Sequence, residues 1–326
     1  MSTSSMLLPC LAFHSVHDRS TVLFSASEKK PIVGGDIGEL ENKIICPTTH
    51  GFMLARDPIS LATFLWSPQS RQRIELPPLG LKQVEDDLLV DCTCLLSSKP
   101  SAPDCVVLLV EPLVEPEHPF IWYCRAGDSN WEEHEYDIGT QALPDYDPPE
   151  EKIVICQIAA CRGKFYFNNR STSLGVLDFC GDGGAPVFSS IAIDNTMDEN
   201  YGYKYSARAK VFLLESDDEL YLVRLLWAGD KKPYRGATVH MMDFSTRRWR
   251  RVDDLGGRTF LLSMYEFAAS SEGGEFGLRQ NCVYFMDNPE RKLLQIFSVK
   301  DGSAEPQEFD DAPTSDKAFW MLSSDL

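Results

Sequence analysis

One pattern recurs five times along this chain: a polar turn followed by a short apolar strand that is usually aromatic. The copies read "HGFMLAR" (His50 to Arg56), "DCVVLLV" (Asp104 to Val110), "RGKFYFN" (Arg162 to Asn168), "DDELYLV" (Asp217 to Val223) and "QNCVYFM" (Gln280 to Met286). Their centres, Met53, Val107, Tyr166, Tyr221 and Tyr284, stand 54, 59, 55 and 63 residues apart. A period of this size constrains the fold strongly, because a unit so small cannot bury its apolar face alone and must stack on its neighbours.

After each copy comes a strand, a polar turn and another strand with alternating apolar and polar residues: "TFLWSPQSRQRIELP", "FIWYCRAGDSNWEEHEYDI", "LGVLDFCGDGGAPVFSSIAI", "VHMMDFSTRRWRRVDDL" and "LLQIFSVKDGSAEPQEF". These read as β-hairpins. A further apolar strand precedes each copy; the five are "KIICP", "VDCTCLL", "IVICQIA", "AKVFLLE" and "FLLSMYE". Every repeat therefore holds four strands, with little helical periodicity between repeats, which is the pattern of an all-β β-propeller. Five repeats occupy roughly Lys43 to Asp311. The remaining segments, about residues 6–33 and 317–324, predict a sixth four-stranded blade shared by the two termini, which closes the ring as one domain over residues 1–326. An aromatic just past the turn, Trp131 and Trp249 in the clearest copies, begins the outermost strand and is expected to cover the seam between blades.

The propeller reading leaves a function to be found, and charge narrows it. The formal net charge is −18, which opposes attraction to phosphate backbones, so nucleic acid is not an expected partner. No apolar run approaches the roughly 20 residues of a membrane helix. "MSTSSMLLPCLAFHSVHDRS" lacks a basic leader and carries Pro9 inside its apolar run. Ten scattered cysteines then read as mostly buried thiols of a cytoplasmic or nuclear protein.

Known catalytic signatures are missing from the sequence: it has no Gly-x-Ser-x-Gly elbow, His-Glu-x-x-His pair or phosphate loop. "GDGGAP" at Gly181 to Pro186 reads as a hairpin turn. Cys92 and Cys94 face the same way on a strand, but no second pair follows at zinc-finger spacing, so they read as core residues. No metal or cofactor is expected. "RRWRR", Arg247 to Arg251, is the one basic cluster. Alternation puts Arg248 and Arg250 on one strand face and Trp249 and Arg251 on the other, with the charges discouraging edge pairing.

The segments "LPCLAFH", "PISLATFLWSPQSRQRIELPPL", "CLLSSKPSAPDCVVLL", "WEEHEYDIG", "GKFYF", "VFLLESDDELYLV", "MMDFSTRRWRRVDDLGGRTFLLS", "NCVYFMD" and "FWML", taken in order, resemble the KIB-type β-propeller domain of plant F-box proteins, found especially in grasses. The resemblance implies a propeller that holds a target protein for a cullin ubiquitin ligase. Members often carry an N-terminal F-box, a helical module that docks on Skp1. Here the first strand-like segment begins near Met6, so no F-box of its own and no direct Skp1 binding are expected.

In a four-stranded meander, the links between blades and the loops between second and third strands share one end of the ring. Residues 79–91, 111–119, 139–152, 194–206 and 227–238 together carry fifteen acidic and six basic residues, half the net charge of the chain. That end also carries Tyr146, Tyr201, Tyr203, Tyr205 and Trp227. Acidic charge steers an encounter and aromatics supply contact area. The expected surface for a basic protein partner therefore comprises Glu85, Asp86, Asp87, Asp145, Tyr146, Asp147, Glu150, Glu151, Tyr201, Tyr203 and Trp227. Ordinary solvated surface of an acidic chain is the competing reading. Two other functional classes stay open: a propeller enzyme with a small-molecule substrate, for which Asp91, Cys92 and Glu266 are the axial candidates, and a degenerate paralogue with no binding role.

Overall fold

The computed structural model describes residues 8–33, 37–80, 89, 92–110, 120–136, 140–143, 150–153, 157–170, 172–180, 184–194, 209–226, 234, 236–264, 267–274, 277–287 and 289–323. The chain forms a six-bladed propeller. Blade one pairs β1 (Cys10–Ser15), β2 (Ser20–Ser25) and β3 (Lys30–Pro31) with the last strand of the chain, β27 (Lys317–Met321), in the order β27-β1-β2-β3. Blade two holds β4 (Ile44–Pro47), β5 (Met53–Arg56), β6 (Thr63–Trp66) and β7 (Arg73–Leu76). Blade three holds β8 (Thr93–Leu96), β9 (Val106–Val110), β10 (Phe120–Arg125) and β11 (Glu132–Glu135).

A separate hairpin, β12 (Thr140–Leu143) with β13 (Glu150–Ile153), precedes blade four. That blade holds β14 (Ile158–Cys161), β15 (Lys164–Arg170), β16 (Ser173–Asp178) and β17 (Val187–Ala192). Blade five holds β18 (Ala209–Ser216), β19 (Glu219–Leu226), β20 (Gly236–Asp243) and β21 (Arg248–Val252). Blade six is formed by β22 (Arg258–Ser263), β23 (Ala268–Glu272), β24 (Cys282–Met286), β25 (Leu293–Ser298) and β26 (Ala304–Glu308), in the order β23-β22-β24-β25-β26.

Blade faces explain why the inner strands are apolar at nearly every position rather than at every second one. Successive side chains leave a strand on opposite faces, and each face meets a neighbouring blade. In β1, Leu11 and Phe13 enter the seam with blade six, while Cys10 and Ala12 enter the seam with blade two. In β9, Val107 and Leu109 face blade two, and Val106, Leu108 and Val110 face blade four. Six apolar clusters result, one for each pair of adjacent blades around the ring. The outermost strands β7, β11, β17 and β26 are exposed at half or more of their positions, and Pro306 in β26 removes a donor from an open edge.

The aromatic past the turn does join blades. Trp249 is buried in the seam between blades four and five. Trp131 packs in the seam between blades two and three, and its Nε1–H donates to the Pro77 carbonyl at 2.8 Å. The same relation recurs in polar form: Asp194 N–H donates to Arg247 O at 2.9 Å, and Gln307 Nε2 donates to Ala26 O at 2.6 Å. Each contact ties a turn between third and fourth strands to the outer strand of the preceding blade, or to the residues just after it.

Two segments depart from the sequence-based expectation. The longest step of the repeat, 63 residues, contains a fifth strand. Phe260 to Glu266 was expected to be innermost, yet β22 is second and runs parallel to β24, while β23 takes the place at the axis. Side-chain size explains this. Ala268, Ala269 and Ser270 fit the crowded centre, whereas Phe260, Leu261 and Leu262 fill the two seams of blade six. In blade four, the inner strand starts at Ile158 rather than near Ile153, because Glu150–Ile153 pairs with Thr140–Leu143 instead.

Ring closure and seam packing give two predictions. Trp320 is fully buried, and its Nε1–H donates to the Leu262 carbonyl at 3.1 Å across the closing seam. Trp320→Ala should cost about 3–5 kcal/mol, read as a lower urea midpoint, and truncation after Pro313, which removes β27 altogether, should yield no soluble folded protein. An added Cβ at Gly175 would stand 2.1 Å from Phe167 Cε2. Gly175→Ala should therefore destabilise by about 1–3 kcal/mol through overpacking; an unchanged melting temperature would contradict the close fit of β15 on β16.

Candidate functional site

A propeller offers two places for recognition, its axis and its ends. Residues from all six innermost strands, or beside them, line one axial cavity, among them Pro47, Cys94, Ala159, Leu214, Ala268 and Lys317. Its volume is about 20 Å³, space for about one water. Small apolar side chains fill the rest. Two charged residues border it. Glu215, whose carboxyl burial pushes up, accepts the Asp218 N–H at 2.7 Å. Lys317 is buried, and it stands across the β27–β1 pair from His14. Burial, then the charge of Lys317, lowers His14 to about 4, so this imidazole is neutral at physiological pH and bonds Thr21 Oγ1 at 3.0 Å. Of the axial candidates in the sequence, Cys92 borders the cavity; Asp91 and Glu266 lie outside the described residues.

Beside the axis, Cys46, Cys92, Cys94, Cys105 and Cys124 share the seam between blades two and three. All five are free thiols. Burial pushes Cys94, Cys105 and Cys124 upward, which keeps them protonated, and the Cys46 thiol donates to Leu89 O at 2.9 Å. Thiols in this state pack as small apolar groups. Among the described residues, no three His, Cys, Asp or Glu side chains are placed to hold a metal ion.

The two ends of the ring differ. At one end, in blades four and five, the inner strand turns straight back into the second. Arg162-Gly163 and Asp217-Asp218 make two-residue turns with positive φ at both positions (52° and 76°, 53° and 62°), the type I′ geometry that matches strand twist. Charges there are paired between blades: Arg162 Nη2 lies 2.8 Å from Glu219, Arg162 Nε donates to Asp218 O at 2.6 Å, and Arg258 forms a two-point pair with Asp217. In blades four and five these salt-bridged turns are tight, whereas in blades two and three the same connection spans residues 48–52 and 97–105.

The antiparallel order of the strands in blades one to five sends their second-to-third loops, and the inter-blade links other than the one into β22, to the opposite end. Glu150 and Glu151 belong to this end. They open β13 opposite Leu143 and Ala142, so they stand in a hairpin strand rather than in the loop expected over residues 139–152. Glu85, Asp86, Asp87, Asp145, Tyr146, Asp147, Tyr201, Tyr203 and Trp227 lie outside the described residues. What the sequence did not single out are two apolar side chains at this end: Val33 in the link after β3 is 96% exposed, and Ile59 in the β5–β6 turn is 92% exposed. Asp57 fixes the second turn, accepting the N–H groups of Ile59 (3.0 Å) and Ser60 (2.9 Å) and pairing with Lys43 at 3.0 Å.

Solved structures of similar outline include a functionally unknown protein from Desulfotomaculum acetoxidans DSM 771 (9% identity, TM-score 0.38, covering 96% of this chain and 99% of that one). The calcium-binding protein regucalcin from Agrobacterium tumefaciens str. C58 aligns at 13% identity and TM-score 0.32 (98% and 91% covered). The Aleuria aurantia lectin aligns at 7% identity and TM-score 0.36 (97% and 100% covered). Likenesses this distant carry no functional argument. Among curated proteins, nothing matches. The sequence itself is more informative: the family model described as the KIB1-4 beta-propeller matches residues 21–305, nearly the whole ring, and the chain belongs to the KIB1-4 beta-propeller family.

Proposed function

We propose that this protein is a non-enzymatic interaction module that holds a basic protein partner on the acidic, link-bearing end of the propeller. The observation that carries the reading is topological. Six inner strands fill the axis, and the strand order directs the inter-blade links, other than the one into β22, to one end. A rigid ring thus supplies a platform, and variable links supply the contacts. The exposed Ile59 and Val33 at that end add apolar area of the kind that anchors protein interfaces. In this reading the acidic side chains set the association rate, and Tyr146 and its aromatic neighbours set the dissociation rate.

The partner is sought by affinity purification with mass spectrometry from plant tissue, the source that the family resemblance suggests. Replacing Glu85, Asp86, Asp87, Asp145, Asp147, Glu150 and Glu151 by Gln or Asn should then slow association and flatten its salt dependence while the protein stays folded. Unchanged rates and salt slope would make the acidic rim ordinary solvated surface.

Skp1 recruitment belongs to a helical module in F-box proteins, and this propeller is proposed to act without docking on Skp1 directly. In a two-component titration, purified protein should give no binding at micromolar concentrations. A micromolar or tighter complex would defeat that part of the reading.

A further inference from the structure

Four hairpin turns in this ring are built alike. In each, the carbonyl of the first residue accepts the N–H of the fifth, and the fifth has left-handed backbone: Ser25 with Lys29 (2.9 Å, φ 55°), Asp57 with Leu61 (2.9 Å, 61°), Ser67 with Arg71 (2.9 Å, 56°) and Ser298 with Gly302 (2.8 Å, 68°). In three of them the side chain of the first residue also accepts the N–H of the fourth, from Glu28 at 3.1 Å, Ser60 at 2.9 Å and Ser70 at 3.2 Å. The third residue stands at the tip and is exposed in all four: Ser27, Ile59, Gln69 and Lys300. Three tips are polar, as turn chemistry favours. Ile59 is the exception.

The turns of Ser25, Ser67 and Ser298 join the last two strands of a blade. That of Asp57 joins the second strand to the third, beside the link that enters blade two: Arg56 stands opposite Ile44 in the β4–β5 pair, and Lys43 Nζ lies 3.0 Å from Asp57. At 92% exposure, Ile59 adds no packing to the fold, yet its backbone is held still. Pro58 fixes the chain before it, and Asp57 accepts the N–H groups of both Ile59 and Ser60. A residue that breaks a local rule without gain to the fold points to function, and an apolar side chain on a fixed backbone loses little entropy when a partner covers it.

Charge indicates the kind of partner. The β1–β2 turn meets the link here, Asn42 N–H donating to Arg19 O at 3.2 Å. Together they bring two exposed carboxylates, Asp18 and Glu41, neither in an ion pair among the described residues. The nearby cations Arg19 and Lys43 are half-buried, Lys43 in its pair with Asp57. We infer that Ile59 anchors the partner interface as a fixed apolar knob, flanked by Asp18 and Glu41, that enters an apolar pocket edged by Lys or Arg on the partner protein. The inference rests on the reading that the link-bearing end holds a basic protein; it adds the blades that are gripped and the surface that the partner must carry.

The test introduces a photo-crosslinking benzophenone side chain into the full chain in place of Ile59, and in parallel in place of Gln69, the polar tip of the same turn, and of Glu150 in the acidic hairpin. Each protein is irradiated alone and in an extract of plant tissue, and the joined peptides are identified by mass spectrometry. The expected product at position 59 is a protein joined at an apolar surface pocket with Lys or Arg at its edge, absent at position 69. With that protein purified, Ile59→Ser should weaken binding about tenfold or more by faster dissociation, at unchanged melting temperature, association rate and salt slope; Ile59→Leu should bind as the parent does. Asp18→Asn with Glu41→Gln should instead slow association. No product at position 59, a second copy of this chain as the product, or a parental dissociation rate in Ile59→Ser would overturn the inference. Capture at position 150 without capture at 59 would overturn it alone and leave the acidic-end reading standing, whereas capture only at 69 would defeat both.

Discussion

Apolar packing across the six seams is the interaction on which this molecule depends. No blade has a core of its own. Each is a sheet of four or five strands with two apolar faces, and each face is buried only when the neighbouring blade is in place. Stability is thus held between units rather than within them, as in stacked repeats, with the difference that a ring has no terminal unit to cap. The contribution of any one strand is shared by two seams, which is why Phe319 and Trp320, adjacent in β27, belong to different clusters.

Seam packing also decides how much room is left for chemistry. Tilted inner strands converge on the axis, and small side chains such as Ala159, Ala160 and Ala268 allow that approach. The centre is consequently structural, and its polar groups are held by neighbours rather than displayed. Variation is left to the connections. In blades four and five the connections at one end are two-residue turns fixed by left-handed backbone and inter-blade ion pairs; elsewhere the connections are longer and their sequence is not dictated by the ring.

What could be read in the sequence follows from this division. The blade count, the hairpins and the closing strand were legible because alternation and turn chemistry are local, and because the aromatic past each turn recurs. The fifth strand of blade six was not, since nothing local says that "AASSE" fits the axis better than "FLLSMYE"; that choice is made by crowding from five other blades. The β12–β13 hairpin was missed for a related reason, its strands being only four residues each. Of the expected acidic surface, Glu150 and Glu151 alone fall among the described residues, in β13, and their composition was all that the sequence offered. "DPIS" reads as an ordinary turn, and the strand order and the exposure of its tip were needed to set Ile59 apart.

Closing the ring with the last strand has a consequence for how the protein is made. Of the strands of the ring, β1 is made first and its inner partner β27 last. At about 5 to 20 residues per second, the roughly 300 residues between them take on the order of 15 to 60 s to synthesise. Throughout that interval β1 presents an unpaired edge, and blades one and six lack their common seam. Blades two to five can assemble as an arc while translation continues, but the native circle closes only once β27 has been made. A nascent chain stalled before Lys317 is therefore an open arc with a sticky edge at its start, the species in a cell most apt to pair with another copy of itself or with a chaperone.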